Sequence, residues 1–173
     1  MSPAGEDLAG RAYVGLGSNL GDRAGNLLAG VRGMLAANLR VARLSSVYET
    51  EPAGVPDEQP PYLNMAAELS LEATHFTPEQ VLARLLRVEH ALGRRRVRPL
   101  AARTIDLDLL LYADERAATD FLTLPHPRLH LRRFALAPLA ELAPDLLHPT
   151  LRRSISELLA GVPDRAAVRL WRA

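Results

Sequence analysis

From Tyr62 to Leu71 the chain alternates without interruption. Leu63, Met65, Ala67, Leu69 and Leu71 fall on one side, and Asn64, Ala66, Glu68 and Ser70 on the other. Side chains of a strand point to opposite faces in turn, so this pattern demands a strand with one apolar face and one polar face. It is the clearest half-buried strand in the sequence, and the remaining elements have to be arranged around it.

Ala12 to Leu16 reads as a short apolar strand that runs into a turn cluster, Gly17-Ser18-Asn19-Leu20-Gly21-Asp22, with several possible helix caps. Ala24, Leu27, Leu28, Val31, Met34 and Leu35 then recur at the three-and-four spacing of a buried helical stripe. Gly25, Gly30 and Gly33 each weaken that helix by roughly 1 kcal/mol, so packing has to supply its stability. Val41 to Tyr48 reads as a second strand, followed by a proline-stiffened loop from Glu51 to Pro61. Thr77 and Gln80 form a capping-box pair with Pro78 at the first helical position, and the helix is expected to run to Leu92, with Gly93 as a left-handed cap. An arginine-rich connection leads into a buried strand, Thr104 to Tyr112. The proline-rich remainder predicts short helices and loops, then a last helix over Ile155 to Ala160. Strand, helix, strand, strand, helix, strand is the ferredoxin-like order. The expected fold is therefore α+β, an antiparallel sheet with flanking helices on one side and a helical C-terminal tail. Residues 1–10 read as a flexible leader and 11–173 as a single domain.

Composition narrows the function classes. The 173 residues are 48% hydrophobic and 24% charged, which suits one compact domain with a real core. No run approaches the roughly 20 apolar residues that span a bilayer, and the first ten residues lack the order of a secretory signal, so the expectation is a cytoplasmic protein with no membrane partner. The absence of cysteine excludes a thiol nucleophile and Cys-based zinc sites. All 21 basic residues are arginine, which removes lysine-dependent chemistry, and a net charge of +1 argues against a nucleic-acid coat.

Asp106 and Asp108 are the sharpest anomaly. Strand periodicity puts both carboxylates on one face, with Ile105, Leu107, Leu109 and Leu111 on the other. Two arrangements satisfy them: ion pairs with arginines on a wetted sheet face, or a divalent cation with oxygen preference, magnesium or manganese rather than zinc. Arg94, Arg95, Arg96, Arg98 and Arg103 crowd the connection just before this strand. Guanidinium forks bind phosphate oxygens, and carboxylates with magnesium bridge phosphoryl oxygens, so the combination is the equipment of phosphoryl transfer. A basic loop neutralised by the two aspartates is the plainer alternative.

Glu89 sits on the apolar stripe of its helix near the arginine loop and needs a partner, a ligand or an arginine. The Gly15-Leu16-Gly17-Ser18-Asn19-Leu20 run fails as a dinucleotide fingerprint because Leu20 stands where the third glycine is required, and it reads as a turn capping a helix. His126, Arg132 and Phe134 could reach phosphate or stack on a planar ring, and Asn64 beside Tyr62 offers donor and acceptor to a heterocycle edge. A ferredoxin-like RNA-binding or ligand-sensing module is disfavoured, because only 5% of residues are aromatic and the aspartate pair repels phosphate without metal.

Taken in order, these motifs resemble one family, 6-hydroxymethyl-7,8-dihydropterin pyrophosphokinase of folate biosynthesis. The resemblance runs from Ala12 to Pro149. It is carried by Tyr13 to Asp22, Ser45 to Pro52, Gln59 to Asn64, Glu89 with Leu92-Gly93-Arg94, Arg103 to Asp108, and Leu124-Pro125-His126-Pro127 with Arg132 and Phe134. It implies transfer of pyrophosphate from ATP to the pterin hydroxymethyl group with release of AMP, with two Mg2+ ions as cofactors and ATP as co-substrate. It further implies that Asp106 and Asp108 hold both ions and that Glu89, Arg94, Arg96, Arg103, His126 and Arg132 bind ATP. Thr50, Pro52, Ala53, Tyr62, Asn64 and Phe134 would bind the pterin, and Arg94, Arg103, Asp106 and Asp108 would be the catalytic set. The substrates are the expected partners of a monomer. The chain departs from the family pattern at Leu100-Ala101-Ala102 and at Arg133, where a small residue is frequent.

Overall fold

A computed structural model describes residues 10–52, 59–72, 75–94 and 102–172. Residues 1–9 of the expected leader, Ala53 and the arginines at 95, 96 and 98 lie outside the described residues. The first strand, β1 (Arg11–Ser18), leads through a turn into α1 (Arg23–Ala36), whose start is capped by Asp22 accepting the Gly25 N–H at 2.9 Å. Next come β2 (Arg40–Leu44), β3 (Tyr48–Thr50), β4 (Tyr62–Ser70), α2 (Pro78–Ala91) and β5 (Asp106–Tyr112). The tail holds a two-stranded hairpin, β6 (Ala117–Ala118) with β7 (Thr123–Leu124), then α3 (Arg133–Leu142), α4 (Ile155–Gly161) and β8 (Val168–Leu170).

All pairings in the main sheet are antiparallel. β1 lies between β5 and β4, the far side of β4 is shared by β2 and β3, and β8 adds to β3. This is the ferredoxin-like α+β architecture expected from the element order. The Thr77–Gln80 capping box is present, and Gly93 adopts φ +82°, the left-handed cap that ends α2.

Five expectations are corrected. The single strand expected over Val41 to Tyr48 is two. β2 pairs with residues 67–70 of β4 and β3 with residues 62–64, and Ser45 breaks the run by bonding Ala66 through both its N–H and its hydroxyl. β4 is buried on both faces rather than one, because α3 and α4 of the tail cover the side opposite α1 and α2. Helices therefore flank both sides of the sheet. The α1 stripe is narrower than expected: Leu27, Val31 and Met34 are buried, while Leu28 and Leu35 are 60% and 52% exposed. The tail, expected as short helices and loops, also supplies a strand, since β8 extends the sheet.

The last correction concerns β5. Its pairing with β1 slips by one residue between Tyr13 and Val14, so Leu110 is an extra residue in the ladder. Leu107 and Leu109 pack in the core under α1 and α2, but Leu110 and Leu111 both pack with α3 and α4. Leu111 thus leaves the face predicted for it.

The α1 glycines have a packing reason. A Cβ on Gly33 would stand 2.5 Å from a methyl group of Val88, so the glycine lets α1 and α2 approach closely enough to seal the core. The cost in helix propensity is the consequence of that contact. No helix among the described residues is long and apolar enough to cross a membrane.

Candidate active site

The face of the sheet under α3 and α4 is apolar at one end and open at the other. Register pairs Gly15 with Asp108 and Ala66, and Gly17 with Asp106 and Asn64. Residues opposite each other in a ladder share a face, so two glycines separate the carboxylates of β5 from Asn64 of β4. Gly15 lies in β1 as the strand over Ala12 to Leu16 required, and Gly17 belongs to β1 as well rather than to the turn cluster expected to begin there; Gly21, at φ +63°, is the glycine that the turn requires. A Cβ on Gly17 would meet the Asn64 Oδ1 at 2.8 Å. The bare backbone there is the floor of a cavity of about 530 Å³.

Its lining differs in chemistry from part to part. Thr50, Tyr62 and Asn64 of β3 and β4 line one part of the wall with Phe134 of α3, whose ring centroid lies 5.5 Å from the Arg132 guanidinium carbon. Asn64 is 6% exposed and donates to the Thr50 hydroxyl at 2.6 Å, which fixes its amide plane and leaves its oxygen over Gly17. The Tyr62 hydroxyl donates to Gln59 Oε1 at 3.1 Å, and Gln59 also accepts from Asn19 Nδ2 at 3.1 Å. Asn19 in turn accepts the Arg103 N–H at 2.8 Å, tying the Tyr62–Gln59 wall to the arginine segment. Gln59 and Asn19 fall within stretches that carry the family resemblance, but the sequence reading assigns neither a role at the site.

In the other part Arg103, Asp106, Asp108 and Arg132 meet. Both oxygens of Asp106 accept from guanidinium groups, Oδ1 from Arg94 and Oδ2 from Arg103. Asp108 is held more loosely, with Arg132 at 3.5 Å and His126 Nε2 at 3.9 Å from Oδ2. Burial and the adjacent Asp106 charge push the Asp108 carboxyl up to about 6, outweighing Arg132, Arg94 and Arg103, which pull it down. His126 is pushed down to about 4 by burial and by Arg132 and Arg128, so its ring is neutral near pH 7. Its Nδ1 accepts the Arg128 N–H at 3.2 Å, which leaves Nε2 as the donor on the side of Asp108.

Glu89 is 3% exposed, and its carboxylate accepts the Leu107 N–H at 2.7 Å and bonds Arg94. The arginine option of the sequence reading is therefore the one realised; the group links α2 to β5 and holds Arg94 against Asp106. Pro52 lies at the edge of the described residues, whereas the roles expected of Ala53 and Arg96 fall outside them.

The donor set fits magnesium. Asp106 is matched by Arg94 and Arg103 while Asp108 is held loosely, and hard divalent cations take oxygen ligands. Among the described residues no group of three His, Cys, Asp or Glu side chains comes together to hold a metal. Two carboxylates suit an ion that completes its shell with water and phosphate oxygens.

Residues 13–144 match the family model described as 7,8-dihydro-6-hydroxymethylpterin-pyrophosphokinase (HPPK). The chain is 37% identical over 160 residues to the 2-amino-4-hydroxy-6-hydroxymethyldihydropteridine pyrophosphokinase of Haemophilus influenzae, covering 92% of this chain and 97% of that protein. It is 43% identical over 152 residues to the protein of the same name from Methylorubrum extorquens, covering 86% and 93%. The fold is similar to that of Plasmodium falciparum HPPK-DHPS, with TM-score 0.65 at 15% identity, covering 87% of this chain and 43% of that one. The chain thus spans less than half of that solved protein. It belongs to the 7,8-dihydro-6-hydroxymethylpterin pyrophosphokinase family, and its reaction is the transfer of pyrophosphate from ATP to hydroxymethyldihydropterin in folate biosynthesis.

Proposed function

We propose that the part of the cavity lined by Thr50, Tyr62, Asn64 and Phe134 holds the dihydropterin and that the part lined by Arg103, Asp106, Asp108 and Arg132 holds the triphosphate of ATP. The observation that carries this division is the shared floor. Asn64 and Asp106 flank the same glycine, so a ring read by Asn64 has its substituent directed along the row that ends in the carboxylates. In this reading Asn64 and Thr50 bond the pterin edge, helped by Pro52 and Ala53, and Tyr62 and Phe134 enclose its faces.

Asp106 and Asp108 would hold two Mg2+ ions, which when bound supply charge neutralisation to the triphosphate. With Asp106 shared, Arg94 and Arg103 become available to phosphate oxygens, joined by Arg132 and by Arg96. His126, held neutral, contributes a hydrogen bond from Nε2 rather than a charge. Glu89 acts on ATP through Arg94. Arg94, Arg103, Asp106 and Asp108 are the groups assigned to catalysis, and their contribution is alignment of the acceptor hydroxyl and stabilisation of charge as the bond to the α-phosphate breaks. The same reading takes residues 11–173 as one domain of a cytoplasmic monomer.

The test is product analysis with purified protein, ATP, Mg2+ and 6-hydroxymethyl-7,8-dihydropterin, with controls lacking the metal or the pterin. AMP and pterin diphosphate in equal amounts, dependent on both, is the expected result. ADP in place of AMP, or full turnover in a chelator, would overturn the assignment of the carboxylate part of the cavity.

A further inference from the structure

The family match ends at residue 144, yet the walls of the cavity are completed by chain beyond it. Pro163 and Asp164 line the cavity beside Phe134 and Leu131. α3, which carries Phe134 in its first turn, starts without a local cap: its N-cap residue is Arg132, no side chain of its own segment caps it, and its first turn contains no acid. An arginine side chain has only donors and cannot accept a helix N–H. The missing acceptor comes from the tail. Asp164 Oδ2 accepts the Arg133 N–H at 3.0 Å, and Oδ1 accepts the Ala166 N–H at 2.9 Å. A carboxylate in this position also meets the positive end of the helix dipole.

A few residues later the same segment grips the opposite wall. Ala167 O accepts the Glu51 N–H at 3.3 Å, Val168 pairs with Thr50, and the Trp171 N–H donates to Val47 O at 2.9 Å. One stretch of backbone, 163–171, therefore ties the Thr50–Glu51 wall to the Arg132–Phe134 wall. The Arg133 side chain, where the chain departs from the family pattern, is not needed for this link, since the backbone N–H makes it.

We propose that Asp164 is a positioning residue of the pterin site, fixing the first turn of α3 so that Phe134 keeps its spacing from the β3 wall. The proposal rests on the placement of the pterin against Asn64 and Phe134. Asp164 does not touch the reacting atoms; it acts through the backbone of Arg133.

Steady-state kinetics on the full chain test it. Asp164→Ala is expected to raise KM for the dihydropterin about fivefold, the size of one lost helix cap, with KM for ATP changed less than twofold. Asp164→Asn keeps one of the two acceptor oxygens and turns an NH2 toward the other N–H, so its pterin KM should fall between those of wild type and Asp164→Ala. Ser154→Ala removes a cap of similar worth from α4, which does not line the cavity, and should leave both KM values unchanged. Equal rises in both KM values for Asp164→Ala, or the same pterin effect from Ser154→Ala, would overturn the proposal by reducing Asp164 to a general stabiliser. If the alanine variant does not fold, Asp164→Glu carries the test, because a displaced carboxylate must give a smaller rise with the same selectivity for pterin. Asn64→Ala separates the two levels. A raised pterin KM there with none in Asp164→Ala rejects only the positioning role, whereas no effect from either rejects the pterin placement as well.

Discussion

The two faces of the sheet are built from the same strands and end differently. Under α1 and α2, Val14, Leu16, Leu107 and Leu109 meet Leu27, Met34, Leu85 and Val88 in a continuous apolar layer. Under α3 and α4 the layer covers Tyr13, Ala66, Leu110 and Leu111, and then stops at Gly15 and Gly17. The difference teaches what a site costs in packing. One face spends every position on burial, whereas the other gives up two side chains altogether and admits two carboxylates, so its order has to come from hydrogen bonds and from the tail.

Substitutions that exchange the properties of the two faces should separate activity from stability. Asp108→Ala on the open face is expected to lower turnover by on the order of a thousandfold, with a melting temperature close to wild type; near-normal AMP release would refute the carboxylate assignment. On the closed face Leu85→Ala, at a fully buried position, should cost roughly 2–5 kcal/mol in denaturant unfolding. Activity per folded molecule should survive that change, and a selective loss of turnover would break the comparison. Gly17→Ala tests the floor itself. Its methyl group displaces the Asn64 amide, so the pterin KM should rise about tenfold while KM for ATP stays near wild type, and unchanged pterin KM would show that the floor is not what shapes the site.

The smallest expected effect sits where the two strands β2 and β3 separate. Glu141 of α3 accepts from the Ser46 N–H and hydroxyl at 2.9 and 3.0 Å and from the Tyr48 hydroxyl at 2.7 Å. Burial raises its carboxyl, but these bonds outweigh burial and hold it below the usual range. A depressed folded pKa gives stability that is present above the unfolded value and lost as pH falls through the folded one. Glu141→Gln should therefore cost less than about 1 kcal/mol near neutral pH, since solvent screens an exposed carboxylate, and the gap from wild type should close in acid; a constant gap across pH would mean that the charge plays no part.

Much of this was legible in the sequence, and the parts that were not share a physical reason. The capping box at Thr77, the left-handed Gly93 and the paired faces of Asp106 and Asp108 depend on residues a few positions apart, and local rules read them correctly. β4 looked half-buried because Asn64, Glu68 and Ser70 are polar, yet Glu68 is 5% exposed and is satisfied by Arg43 from β2. That compensation is long-range and leaves no periodic trace. Exposed Leu28 and Leu35 misled for the opposite reason, since a helical stripe shows which residues could be buried and not how wide the facing surface is. Asp164 lies 31 residues from the N–H it caps, beyond any motif window.

The extra residue in β5 gives that strand a one-residue phase slip. Upstream of it, Asp106 and Asp108 face the cavity; downstream, Tyr112 packs on the α2 side, where its hydroxyl donates to the Phe76 carbonyl at 2.5 Å. In an unbroken ladder the two ends would be locked in step, and Tyr112 would face α3 whenever the aspartates faced the cavity. The slip uncouples them. One edge strand can therefore present its charged end to chemistry and anchor its other end on the opposite side of the sheet, each adjustable without turning the other over.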